Sequence, residues 1–83
     1  MMEEAKIYEG LRQILADVFL RDDITPTASL KAGDVDGWNS FKQVEIIMAA
    51  EEYFGIRFTS SEVDHFRNLG DLVAVVAQRS QSR

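Results

Sequence analysis

Residues 40–54, between Asn39 and Gly55, limit what this chain can fold into more than any other stretch. On a helical wheel at about 100° per residue they show two apolar arcs rather than one. Ile46, Ile47, Ala50, Tyr53 and Phe54, with Gln43, share the first. Phe41, Val44 and Met48 form the second, bordered by Glu51 on one side and by Glu45 and Glu52 on the other. The first arc predicts a core face. The second, acid-rimmed and turned away from the core, has the pattern of a partner-binding face. The alternative is that loop residues cover it. Gly55 ends the helix as C-terminal glycines do, and Asn39 and Ser40 both suit its start.

The rest of the chain supplies what such a helix packs against. Residues 3–20 carry Ile7, Leu11, Ile14, Leu15, Val18 and Phe19 on one helical stripe. Glu3 and Glu4 sit near the favourable end of its dipole, and Gly10 is a weak point within it. Residues 21–39 hold Pro26, Gly33 and Gly37, so they form a loop. It is long for a compact protein, and Ile24, Leu30 and Trp38 are its expected anchors; Trp38 could equally belong to a docking surface. Ile56 and Phe58 anchor a short extended link, and Thr59 with Glu62 forms a capping box. That box predicts a short helix over 60–66, burying Val63 and Phe66. Asn68 and Asp71 suggest another cap, opening a last helix over 69–79 with Leu69, Leu72, Val73 and Val76 inward. The β-branched run there has no partner strand, so helix is the better reading. Residues 78–83 are expected to be a polar, frayed tail. The expected architecture is all-α: three longer helices, a short third helix and a long first loop, in one domain spanning 1–83.

Composition narrows the chemistry. Eighty-three residues support one modest core. There is no cysteine, which removes disulfides, thiolate nucleophiles and cysteine metal sites, and one histidine excludes a multi-histidine metal site. Net charge is −5, of which residues 34–54 hold −4 through Asp34, Asp36, Glu45, Glu51 and Glu52 against Lys42. Such a face repels nucleic acid and anionic membranes and attracts basic proteins. The acidic N-terminus lacks a signal-peptide pattern, and no apolar run approaches membrane-spanning length. The expectation is a cytoplasmic, free-standing monomer, with Met1 and the short polar tail as its ends.

Ser40 is the residue with the most to offer chemically. It could be only a helix cap, but Asn39 caps equally well, which would leave Ser40 free to point outward. A self-activated nucleophile would need a base in reach, and neither Lys42 nor His65 is placed as one by the local sequence. Modification by another enzyme suits Ser40 better, since an attached phosphate would meet the free N–H groups of the helix. Asp34, Asp36 and Glu45 fall at positions 1, 3 and 12 of a calcium loop. Trp38 and Asn39 stand where a ligand and a glycine are needed, and Lys42 would face the ion. No metal site and no catalytic residue is expected. His65 reads as a solvated or packing residue.

The run Asn39-Ser40-Phe41-Lys42-Gln43-Val44-Glu45, followed by Glu51-Glu52-Tyr53-Phe54-Gly55-Ile56, resembles the acyl carrier protein signature. In that family an Asp-Ser-Leu triplet opens the second helix, a Val-Glu pair follows, and Glu-Glu-x-Phe-Gly closes it. The resemblance covers essentially the whole chain, including helix order, and implies the acyl-carrier type of four-helix bundle. It also implies that a phosphopantetheinyl transferase attaches 4′-phosphopantetheine from coenzyme A to Ser40. The terminal thiol would then carry acyl intermediates as thioesters for fatty acid, polyketide or related lipid biosynthesis. Implied partners are acyl-transferring, ligating or condensing enzymes with basic docking surfaces, reading Asn39, Phe41, Val44, Glu45, Met48, Glu51 and Glu52. Ile46, Ile47, Ala50, Phe54, Phe66 and Leu72 are the implied acyl-chain cavity.

Some residues depart from the family pattern. Asn39 replaces an aspartate, Phe41 a leucine or methionine, Lys42 a common acid, and Ala50 a larger residue. They imply a specialised member, with Lys42 a charge reversal on the docking face. The double change Asn39→Asp with Lys42→Asp is expected to improve turnover with fatty-acid enzymes. A peptidyl or aminoacyl carrier with the same arm, and an unmodified helical adaptor using the Phe41/Val44/Met48 face, are the alternatives.

Overall fold

The apolar stripe of residues 3–20 can be covered only by other helices, and the chain supplies them. The computed structural model describes residues 3–81 and contains α1 (Glu4–Phe19), α2 (Ser40–Phe54), α3 (Ser60–Asp64) and α4 (Leu69–Gln81). No strand occurs among the described residues. α1 packs against both α2 and α4. Ile7, Leu11 and Leu15 of α1 meet Ile46 of α2 and Val76 of α4 as the most deeply buried large side chains. Burying each contributes about 1.5–3 kcal/mol. The expected all-α bundle forms, with the helix order and the short third helix read from the sequence.

Several boundaries differ. α3 stops at Asp64, leaving His65 and Phe66 in the link to α4. α4 continues to Gln81, so residues 78–81 are helical rather than a frayed tail; Ser82 and Arg83 lie outside the described residues, as do Met1 and Met2. The long loop contains a 3-10 turn, Ala32–Asp34, and a buried anchor at Val35 that its spacing did not reveal. Ile24 is buried as expected, while Leu30 and Trp38 are half-buried.

Two positions read as core or as weakness have other roles. Tyr53 is 50% exposed, at the edge of the α2 core face rather than within it. Its ring meets Phe54 edge-on, with centroids 4.9 Å apart. Gly10 is what lets that ring close on α1, because a Cβ there would lie 2.5 Å from the Tyr53 ring and 3.0 Å from that of Phe54. The glycine expected to weaken α1 is thus where the Tyr53 and Phe54 rings of α2 rest against it. Helix ends also differ in kind. Gly55 closes α2 at φ 67, as a left-handed cap favours. Leu20 closes α1 at φ 56 with its side chain 89% exposed.

Two clamps fasten α4 to the rest of the fold. Leu69 N–H donates to Leu30 O and Gly70 N–H to Ala28 O, both at 2.9 Å, which fastens the loop to the start of α4. On α3, the Arg79 guanidinium from α4 donates to Glu62 and to the Arg57 carbonyl. The Thr59–Glu62 capping box forms as predicted, with Thr59 N–H donating to Glu62 Oε1 at 2.8 Å and Glu62 N–H to Thr59 Oγ1 at 3.1 Å.

Candidate functional site

Asn39 caps α2: its Oδ1 accepts from Lys42 N–H at 3.0 Å, and its backbone carbonyl accepts from Gln43 N–H at 2.9 Å. The cap position being taken, Ser40 becomes the first helical residue. Its side chain is exposed and has no hydrogen-bond partner among the described residues. The question left open between capping and a free hydroxyl is therefore resolved by the neighbour. An anion attached at Ser40 would sit where the first N–H groups of α2 point outward.

The segment leading into Ser40 is held from the α1 side. Trp38 stacks obliquely on Phe19, centroids 5.6 Å apart, and its indole N–H donates to Gln43 Oε1 at 2.7 Å. Trp38 is therefore a loop anchor, and Gln43, placed on the core face by the wheel, serves as its half-buried partner. Lys42 reaches back in the same direction. Its ammonium donates to Val18 O at 3.1 Å and lies 3.7 Å from Glu45 Oε1. α1 has no basic residue in its last turn, so Lys42 supplies the cation that the C-terminal carbonyls favour. It is not the free charge reversal on the docking face that its position suggested.

A cleft of about 550 Å³ opens beside Ser40, a size typical of small-molecule sites. α2 forms one wall with Ser40, Val44 and Ile46. The loop, α3, the link after it and the start of α4 form the other, through Leu30, Lys31, Val63, Phe66 and Leu72 among others. Of the six residues that the resemblance assigned to an acyl-chain cavity, Ile46, Phe66 and Leu72 line this cleft. Ile47, Ala50 and Phe54 are buried in the core instead and do not line this cleft. Phe54 is the clearest case, since its ring meets the Gly10 face of α1. The cleft walls from the loop and from residues 67–69 have no local sequence signal, because long-range backbone bonds, Leu69 N–H to Leu30 O and Gly70 N–H to Ala28 O, place them there.

The second arc of α2 stays uncovered. Phe41 is 81% exposed, Val44 56% and Met48 62%. Glu45 and Glu52 are exposed beside them. Glu51 is different: its Oε2 accepts from Phe58 N–H at 2.9 Å, so the carboxylate expected in the rim fastens the link after α2 instead. His65 is exposed, its Nδ1 donating to Ser61 O at 2.6 Å.

The family model for a phosphopantetheine attachment site matches residues 9–76. This chain belongs to the acyl carrier protein family. Its sequence is 33% identical to an acyl carrier protein of Acidothermus cellulolyticus over 84 residues, covering 98% of this chain and 96% of that one. It is 31% identical to an acyl carrier protein of Akkermansia muciniphila over 75 residues, covering 90% and 94%. A putative mitochondrial acyl carrier protein of Schizosaccharomyces pombe is 30% identical over 60 residues, covering 72% of this chain and 52% of that one. Membership brings an acyl-carrier function and a covalently attached 4′-phosphopantetheine, as the resemblance implied. Acyl carrier proteins are carriers rather than catalysts, served by a phosphopantetheinyl transferase and by acyl-handling enzymes. The geometry suits the group: an unpartnered exposed hydroxyl, free helix N–H groups beside it, and an apolar-walled cleft within reach. No helix among the described residues is long and apolar enough to cross a membrane.

Proposed function

We propose that Ser40 is the attachment residue and that this chain, as one carrier domain in the cytoplasm, presents acyl intermediates to partner enzymes while catalysing nothing itself. The observation that carries this is the division of labour at the start of α2, where Asn39 caps and Ser40 is exposed without a partner. When bound, the arm supplies a terminal thiol that holds the acyl group as a thioester. The chain's own part is to keep the Ser40 hydroxyl accessible, to stabilise a neighbouring diester charge through α2 N–H groups, and to offer a partly apolar groove. Among the described residues no base is hydrogen-bonded to Ser40, so activation of the hydroxyl falls to the transferase.

Partner enzymes dock on Phe41, Val44 and Met48, with Glu45 and Glu52 steering basic surfaces towards them. Asn39 flanks this face at Ser40, and Val44 belongs to both face and cleft. The acyl chain enters the cleft along Ile46, Phe66 and Leu72. The chain works as a monomer.

The test is intact mass after incubation with coenzyme A, magnesium and a broad-specificity phosphopantetheinyl transferase, with Ser40→Ala in parallel. The expected result is a gain of one phosphopantetheine that the variant lacks. No gain there, and none on protein from its native host, would sink the Ser40 assignment and favour an unmodified adaptor, to be pursued by pull-down on the α2 face.

A further inference from the structure

Fourteen acidic side chains outnumber nine basic ones in this chain, yet both charged residues lining the cleft beside Ser40 are basic. They are Lys31 and Arg67, and neither is paired with a carboxylate among the described residues. They come from distant parts of the sequence. The Leu69–Leu30 backbone bond brings them to one wall, Lys31 following Leu30 and Arg67 preceding Leu69 by two residues. Ser40 belongs to the α2 wall, and Ile46, Phe66 and Leu72 are among the apolar lining residues.

We propose that this cleft selects acyl cargo ending in a carboxylate, with Lys31 and Arg67 holding that carboxylate. The inference rests on Ser40 bearing the arm. A plain alkyl chain gains nothing from two unpaired cations along its groove. A chain with a terminal carboxylate uses both features, because its methylenes favour the apolar walls while its charge stays in the solvent-facing part of the cleft beside the exposed Lys31 and Arg67. Arginine binds a carboxylate with a planar fork and lysine adds a second donor, which together favour a compact anion. The other anion available is the diester on Ser40. It is covalently fixed to the α2 wall, where helix N–H groups already serve it.

The test loads the phosphopantetheine form with an octanedioyl group carrying ¹³C at its free carboxyl, and follows that carboxyl by NMR against pH. Intact mass, with Ser40→Ala as the control that takes up nothing, first establishes that the arm and cargo are on Ser40. The expected result is a carboxyl that titrates below the same thioester on free pantetheine, returning to that reference when Lys31→Met and Arg67→Met are combined. Thioester hydrolysis should be slower than for an octanoyl group by about threefold, the upper range for one exposed ion pair. That difference should also vanish in the double variant. A carboxyl titrating as in free pantetheine, or unmoved by the substitutions, overturns the proposal while leaving the attachment site intact. So does a ³¹P shift of the cargo-free arm on making the double variant, since the two cations would then be holding the diester. A chain that never takes up the arm overturns both readings.

Discussion

The Lys42 ammonium donates to the Val18 carbonyl, 3.1 Å away, and so joins the first turn of α2 to the last turn of α1. The bond places a cation at a helix C-terminus with no basic residue in its last turn, two positions after Ser40. Lys42→Met should therefore destabilise the protein by about 1 kcal/mol, a discounted value for a partly exposed charged hydrogen bond. Lys42→Asp should cost more, because it sets an acid against unpaired carbonyls. Urea unfolding of both variants checks this. It also alters what Asn39→Asp combined with Lys42→Asp can be expected to achieve: Asn39→Asp alone is the cleaner probe of docking charge, since it keeps a cap. Equal stability for all of these chains would mean that the bond contributes nothing in solution.

Gly10 and Tyr53 make a second test. Helix propensity favours Gly10→Ala by about 1 kcal/mol. The added methyl would nevertheless lie 2.5 Å from the Tyr53 ring, and overpacking of that kind costs about 1–3 kcal/mol. The variant should be destabilised by about 1 kcal/mol. In a Tyr53→Ala background the same change should be close to neutral, the remaining contact being with Phe54. A double-mutant cycle measures the difference, and a Gly10→Ala variant more stable than the parent would show that the Tyr53 ring simply swings aside.

Acid should loosen the α3 wall of the cleft. The Thr59 backbone N–H, and then the Arg79 guanidinium, hold the Glu62 carboxyl below its ordinary value. The folded state therefore gives up this proton more readily than the unfolded chain does. The stabilisation is complete above the unfolded value, about 4.3, and disappears as pH falls through the lower folded value. Thermal unfolding of Glu62→Gln and of the parent should differ at pH 7 and converge towards about pH 3. A gap that stays constant across that range would assign the effect to something other than the carboxylate.

The uncovered arc of α2 predicts a separation of stability from partner turnover. Phe41→Ala removes a side chain that is 81% exposed, so unfolding free energy should change by less than about 0.5 kcal/mol. Attachment of the arm by the transferase, or acyl transfer by a partner, should fall about tenfold in kcat/KM if the ring fills a partner pocket. Glu51→Gln should show the opposite pattern, with lower stability and little loss of turnover, because its carboxylate serves Phe58 N–H. Identical behaviour of the two variants in both assays would dissolve the distinction between rim and clamp.

What the sequence alone determined is local. Spacing at about 3.6 residues marks the stripes of α1, α2 and α4, and the Asn39, Thr59 and Gly55 signals mark helix ends, because periodicity and capping involve residues only a few positions apart. The same locality made Ser40 legible, since the residue that frees it is its neighbour. Which of the six expected cavity residues line the cleft could not be settled that way. Ile46 and Ile47 are adjacent on α2 and both buried, yet only Ile46 reaches the cleft, and that depends on where the loop and α4 lie. The tertiary structure decided this through contacts distant in sequence: Leu30 with Leu69, Lys42 with Val18, and Arg79 with Glu62. Each spans seventeen residues or more, beyond any helical or turn repeat, and each exists only once the core has brought the helices together.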